Sequence, residues 1–327
     1  MTCRCAPSGA ASAKSADKGA DREVLAGGCS DSLRQSVLDL LRDIPGGFAE
    51  MGAPKSRYAA DLDSPRRRIR LDPFQISATC ITNALFAQFV AESGHRTTAE
   101  REGWSFVFHL GLSDPGAFAA PPGTPWWRQV KGADWAHPEG PGSSVAGRED
   151  HPVVHVSWDD AVAFARFTGT ALPSEAQWEH AARGGLRRMK FPWGNELAPG
   201  GTHRCNTWQG SFPMENSAAD GHSGTAPAQS YMPNGYGLYN MSGNVWEWVA
   251  DWFGPLPAAK IPPLANPGGP SEGQGRVIRG GSHLCCASYC ERYFVHSRSH
   301  NTPASTTGHM GFRLACPIPP RPPVAAK

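Results

Sequence analysis

The chain has 327 residues, with 31 Lys and Arg against 29 Asp and Glu, a formal net charge of +2 and 18% charged residues. So small a charge provides no field for nucleic acid or an anionic membrane surface, and neither is expected as a partner. The 37 glycines and 30 prolines interrupt regular backbone while 11 Trp and 14 Phe supply apolar bulk, so a loop-rich but well-packed globule is expected.

Residues 1–29 are small, polar and charged, and predict a disordered tail with no apolar core of a signal peptide. No stretch reaches the roughly 20 apolar residues that cross a bilayer, so a cytoplasmic monomer is the expectation. In "SDSLRQSVLDLLRDI", Leu33, Val37, Leu40, Leu41 and Ile44 recur at helical spacing and predict one amphipathic helix ended by Pro45-Gly46-Gly47. "TNALFAQFVAESG" predicts a second, started by Thr82 or Asn83 and closed by Gly94.

Residues 105–150 mix tryptophan with many backbone breakers and predict an ordered irregular loop. Ser157 opens a helix closing near Gly169, and Ser174 with Gln177 forms a capping box for another closing near Gly184. From 186 to 316, short apolar runs such as "RVIRGGS" and "GFRLAC" predict short antiparallel strands. One domain over 30–318 and a Pro-rich tail over 319–327 follow.

Two loops are rich in hard oxygen donors. "CNTWQGSFPMENSAADGH" offers Asn206, Asn216 and Asp220, and "NGYGLYNMSGNVWEW" offers Asn240, Asn244 and Glu247. Such sets suit Ca²⁺, which tolerates irregular oxygen coordination, and they equally suit plain turns. The run Trp246-Glu247-Trp248 reads as core.

The nine cysteines are odd in number and irregularly spaced, which in a reducing compartment reads as free or metal-binding thiols. "GGSHLCCASYCERY" holds Cys285 and Cys290 in a C-x4-C spacing unlike zinc fingers or ribbons. A pair of thiolates suits monovalent copper; buried core thiols and a disulfide are the other readings. Arg279, Ser282, His283, Tyr289, Glu291 and Arg292 crowd polar groups around the pair, and Cys286 reads as a bystander. No H-E-x-x-H, P-loop or G-x-S-x-G motif occurs.

The segments "IPGGFAEMG", "HPVVHVSWDDAVAFARFTGTALPSEAQWEHAARGG", "FPWGNEL", "NGYGLYNMSGNVWEWVADWF", "RGGSHLCCASYCERY" and "RSHNTPASTTGHMGFRLA" together resemble the formylglycine-generating enzymes, or sulfatase-modifying factors. The resemblance implies an α+β, C-type-lectin-like fold with little regular secondary structure. It implies Cu(I) held by Cys285 and Cys290, and a reaction in which O₂ oxidises the cysteine of a Cys-x-Pro-x-Arg segment in an unfolded type I sulfatase to Cα-formylglycine. Ser282 and Tyr289 then line the pocket, with Trp246 beside the oxygen and substrate position. Asn206, Thr207, Asp220 and His222 fall on one structural calcium site, and Asn240, Gly243, Val245 and Glu247 on a second.

The sequence departs from the family pattern at Cys286-Ala287 and at His309, expected to flank the substrate groove. Two rival readings keep the fold: a lectin-like calcium module without catalysis, and an iron-dependent sulfoxide synthase. The second needs an N-terminal helical iron domain, for which the forty residues before the shared segments are too few, and no histidine precedes His95.

Overall fold

In the computed structural model the described residues are Pro7 and 28–318; the expected tails, apart from Pro7, Gly28 and Cys29, lie outside them. Helix α1 (Asp31–Leu40) starts where the Ser30 hydroxyl accepts from the Leu33 amide, and it buries Leu33 and Val37. It stops short of the predicted end. Leu41–Ile44 instead form strand β1, because pairing carries Ile44 into the core beside Phe74, and tertiary contact overrides local helical preference.

Strands β2 (Gly47–Met51) and β3 (Arg67–Leu71) pair antiparallel, and β4 (Phe74–Ser77) pairs with β1. Helix α2 (Asn83–Ser93) has Thr82 as its cap and ends on Gly94 at φ 68°, a left-handed value that glycine takes without a Cβ clash. The short α3 (Thr98–Glu102) follows. The segment 105–150 is more regular than its composition predicts. Strands β5 (Trp104–Phe108) and β6 (Trp127–Lys131) pair antiparallel, with the Gly and Pro residues in their connection and in the stretch after β6.

Helices α4 (Trp158–Thr168) and α5 (Glu175–Ala182) start on the predicted capping residues Ser157 and Ser174. Strand β7 (Trp246–Trp252) lies inside the four-stranded sheet, flanked by β8 (Arg276–Arg279), beyond which lies β9 (Arg298–Asn301), and by β10 (Met310–Phe312). The β10–β7 pair is parallel, a correction to the antiparallel expectation; the chain between them supplies the crossover that parallel neighbours require. Strand β11 (Ala315–Pro317) completes a three-stranded sheet with β4 and β1.

Phe86, Phe89, Phe164, Trp246, Trp248 and Phe312 form one core, and Ile44, Phe74, Trp178 and Val277 belong to a second. A buried ion network joins α5 to the sheet. Arg298 grips Glu175 at 2.7 and 2.6 Å, and Arg279 bridges Glu175 at 3.0 Å and Glu179 at 2.8 Å. Each charge there depends on its partner, because an unpaired buried charge costs several kcal/mol. No helix among the described residues is long and apolar enough to cross a membrane.

Candidate active site

At the end of β8, Gly280 (φ 93°) and Gly281 (φ 74°) turn the chain sharply into the cysteine segment. A Cβ on Gly281 would stand 3.1 Å from the Arg292 carbonyl oxygen, so the close return of the chain requires glycine. The Cys285 amide donates to the Ser282 carbonyl at 2.9 Å and the Cys290 amide to the Cys286 carbonyl at 3.0 Å. These turns bring the Sγ atoms of Cys285 and Cys290 to 3.1 Å, with the two residues 1% and 0% exposed. An S–S bond measures about 2.05 Å, so these are two thiols in hydrogen-bond contact and not a disulfide.

The pair is electrostatically unequal. Burial pushes the Cys285 thiol well up, and its hydrogen bond to Cys290 adds to the effect. Burial acts on Cys290 in the same direction, but the bond from Cys285 and the nearby Arg292 charge outweigh it and hold Cys290 below the usual thiol range. Of the two, Cys290 gives up its proton the more readily, with a thiol donor and a guanidinium placed to stabilise the anion.

The structure brings the predicted pocket residues together here. Ser282 is fully buried and donates its amide to Cys285 Sγ at 3.4 Å. Trp246 is also fully buried and shares the apolar cluster of both thiols. Tyr289 stacks on Phe212 at 4.1 Å, and Trp126 meets it edge-on at 4.9 Å. Trp126 and Phe212 were not among the predicted residues; they sit in breaker-rich loops where only "TPWW" and "SFP" mark them. Asp61 was missed too, and it binds Arg292 at 2.7 and 2.8 Å.

The departures fall differently from expectation. Ala287 is exposed beside the thiols, whereas Cys286 is buried against an aromatic cluster containing Trp208, with Ser288 Oγ 3.3 Å from its sulfur. His309 does not face an open groove: it is 1% exposed, packed at 4.7 Å against the Trp127 ring, with Nδ1 2.6 Å from Thr307 Oγ1.

The donor atoms fit a soft ion. Two buried sulfurs stand in contact, one of them easier to ionise than an ordinary thiol, and among the described residues no group of three His, Cys, Asp or Glu side chains is arranged to hold a metal. The oxygen-rich loops fit a hard ion in part. At the first predicted calcium site, Asn206 Oδ1 is buried without a partner. There Asp220 accepts from the Thr207 amide at 2.9 Å and the His222 amide at 3.2 Å, which gathers the four predicted residues.

At the second, Asn240 Oδ1 is likewise buried and unpartnered, beside Gly243 and Val245 in one loop. Glu247 is engaged elsewhere. Its carboxylate accepts from Arg313 at 2.6 and 2.7 Å, from Trp178 Nε1 at 2.6 Å and from the Cys80 thiol at 3.2 Å. Its charge is thus already balanced, and the fit there rests on Asn240 and loop carbonyls.

Residues 31–318 match the family described as Sulfatase-modifying factor enzyme 1-like domain. The chain is 54% identical over 275 residues to the formylglycine-generating enzyme of Streptomyces coelicolor, covering 83% of this chain and 87% of that one. It is 40% identical over 287 residues to the inactive C-alpha-formylglycine-generating enzyme 2 of Mus musculus, covering 83% and 84%. The solved structure of PvdO from Pseudomonas aeruginosa shares the fold at 22% identity with a TM-score of 0.62, covering 85% of this chain and 94% of that one. The α+β, loop-rich architecture, the match along 31–318 and the high identity over most of the chain place it in the formylglycine-generating enzyme family, to which it belongs.

Proposed function

We propose that this enzyme oxidises the cysteine of a Cys-x-Pro-x-Arg segment in an unfolded type I sulfatase to Cα-formylglycine with O₂, and that Cu(I) held by Cys285 and Cys290 is its cofactor. Family membership supports the conversion and its place in sulfatase maturation. The observation that carries the copper reading is the contact of two buried thiols that no disulfide joins. When bound, Cu(I) supplies the one-electron chemistry that O₂ needs in order to react with a thiolate substrate.

The chain's own residues prepare the site. Cys290 is the easier of the two to deprotonate and Cys285 the harder, and both would give up their protons to hold the ion. The Ser282 amide fixes the direction of Cys285 Sγ. Burial raises the Tyr289 phenol far above neutral pH, so it stays protonated and forms an uncharged wall with Phe212 and Trp126. In the overall reaction the substrate Cβ loses one hydrogen and its sulfur, gains a carbonyl oxygen and releases sulfide. It gives up two electrons to O₂, whose reduction to water needs two more from an external thiol.

Calcium in the two loops is read as structural, and the free thiols of the described residues support a cytoplasmic location. The test is the reduced chain loaded with Cu(I), incubated in air with a Cys-x-Pro-x-Arg peptide and a thiol reductant. Aldehyde and sulfide in equal amounts are expected. Their absence with copper-loaded protein overturns the reading.

A further inference from the structure

Beside the cysteine segment lies a cavity of about 560 Å³ that the reaction as described does not use. Its apolar wall includes Phe108, Trp127, Trp208 and Leu284, and its polar side includes His155 with the Glu139–Arg148 pair. Three nitrogens on these lining residues are buried without a hydrogen-bond partner: Nε1 of Trp127, Nε1 of Trp208 and Nε2 of His155. The residues are 0%, 4% and 1% exposed. Buried polar atoms are almost always paired, so three orphans along one cavity mark a place that something polar completes.

The chemistry of the three is specific. Indole nitrogens only donate. Ser105 Oγ gives its hydrogen to Thr306 Oγ1 at 2.8 Å, so at 2.7 Å it accepts from Nδ1 of His155, which leaves the lone pair on Nε2. Burial pushes His155 down to about 4, keeping the ring neutral. The Pro138 carbonyl lies near the ring without meeting hydrogen-bond geometry.

His155 holds its ring there from a left-handed backbone, φ 59°, an uncommon state for histidine. Gly308, also on the cavity wall, packs closely on the ring, and a Cβ at 308 would stand 3.1 Å from Nε2. Arg148 and Glu139 neutralise one another at 2.7 and 2.9 Å, so the rim holds no unbalanced charge to attract an ion.

We propose that this cavity is a binding site for a neutral amide group, whose carbonyl accepts from the indole N–H of Trp127 or Trp208 and whose N–H donates to Nε2 of His155. The cavity backs directly onto the thiol site. Leu284 precedes Cys285, the Trp208 amide donates to the Cys285 carbonyl at 3.0 Å, and Trp208 packs at 5.2 Å on the Phe212 ring that stacks on Tyr289. The amide is therefore a main-chain or Asn/Gln amide of the bound polypeptide, which rests on the proposed function, or a free small amide, which does not.

The test uses the full chain with ¹⁵N in its tryptophan indoles, read by NMR. The two resonances are identified with Trp208→Phe and Trp127→Phe; if the fully buried Trp127 does not tolerate change, the Trp208 resonance alone is read. Acetamide is expected to move both resonances saturably, acetate to move neither, and acetone, which only accepts, to bind about tenfold more weakly. His155→Phe should bring acetamide down to the level of acetone. Unmoved resonances, or acetone binding as well as acetamide on the unaltered chain, overturn the proposal.

A Cys-x-Pro-x-Arg peptide that moves the same resonances identifies the polypeptide as the source; movement by acetamide alone identifies a free amide. No turnover is read, so failure of the oxidase reading and failure of this one are separate results.

Discussion

Arg292 binds Asp61 through two atoms, Nε to Oδ2 at 2.7 Å and Nη2 to Oδ1 at 2.8 Å, across 231 residues of sequence. The guanidinium also lies 4.2 Å from the Tyr58 ring centre. A remote N-terminal loop thereby fixes the charge that lowers the Cys290 pKa against the opposing effect of burial.

Replacing Asp61 by Asn should leave that guanidinium buried without its counter-charge. A stability loss on the order of 3 kcal/mol is expected, seen as a lower urea midpoint at unchanged slope. An unchanged midpoint would show that the pair is solvated and does not anchor the thiol segment.

The parts of this arrangement that were legible in sequence are those set by local chemistry. Ser157 and Ser174 were readable as helix starts because a capping side chain acts within three residues. Cys285 and Cys290 were readable because one short segment carries both. Asp61 was not, since nothing near it in sequence signals a partner at position 292. Ile44 misled for a related reason: its helical spacing to Leu41 and Leu40 is real, but the pairing of β1 with β4 decides its conformation. Trp126 and Phe212 lay hidden in loops whose Gly and Pro content describes the connection and not what it covers.

Serine at either position of the thiol pair supplies a hard oxygen where a soft sulfur stood. Cys285→Ser and Cys290→Ser should each retain the fold by circular dichroism and lose Cu(I) affinity by two orders of magnitude or about that, as measured against a chelator, with aldehyde formation falling in parallel. Cys286→Ser should leave copper affinity nearly unchanged, because its sulfur faces the Trp208 cluster. Equal loss in all three variants would argue against the 285–290 pairing.

Two buried histidines make the fold acid-sensitive. Burial lowers His155 and His283 to about 4, below the ordinary value of 6.5. The unfolded chain therefore binds more protons between these values, so stability is intact above about pH 6.5 and declines as pH falls towards 4. Each residue should contribute on the order of 3 kcal/mol to that decline. His155→Gln should flatten the curve of unfolding free energy against pH between 6.5 and 4; a curve of unchanged steepness would mean that His155 already titrates normally when folded.

The oxygen-rich loops are tied to the cysteine segment by a chain of hydrogen bonds. The Asn244 amide donates to the Asn206 carbonyl at 2.8 Å, and the Asn244 carbonyl accepts from the His283 amide at 2.8 Å and its Nδ1 at 2.9 Å, two residues before Cys285. An ion on the unpartnered Asn206 Oδ1 would neutralise a buried acceptor and brace the start of this chain of bonds. Chelation with EGTA should lower the melting temperature, and added Ca²⁺ should restore it in a concentration-dependent way. Asp220→Ala should weaken that rescue by at least tenfold while leaving the Cu(I) affinity of chelated protein unaltered. If EGTA leaves the melting curve in place, the Asn206 loop is held by its own hydrogen bonds, and the alignment of the thiols depends on Asn244 alone.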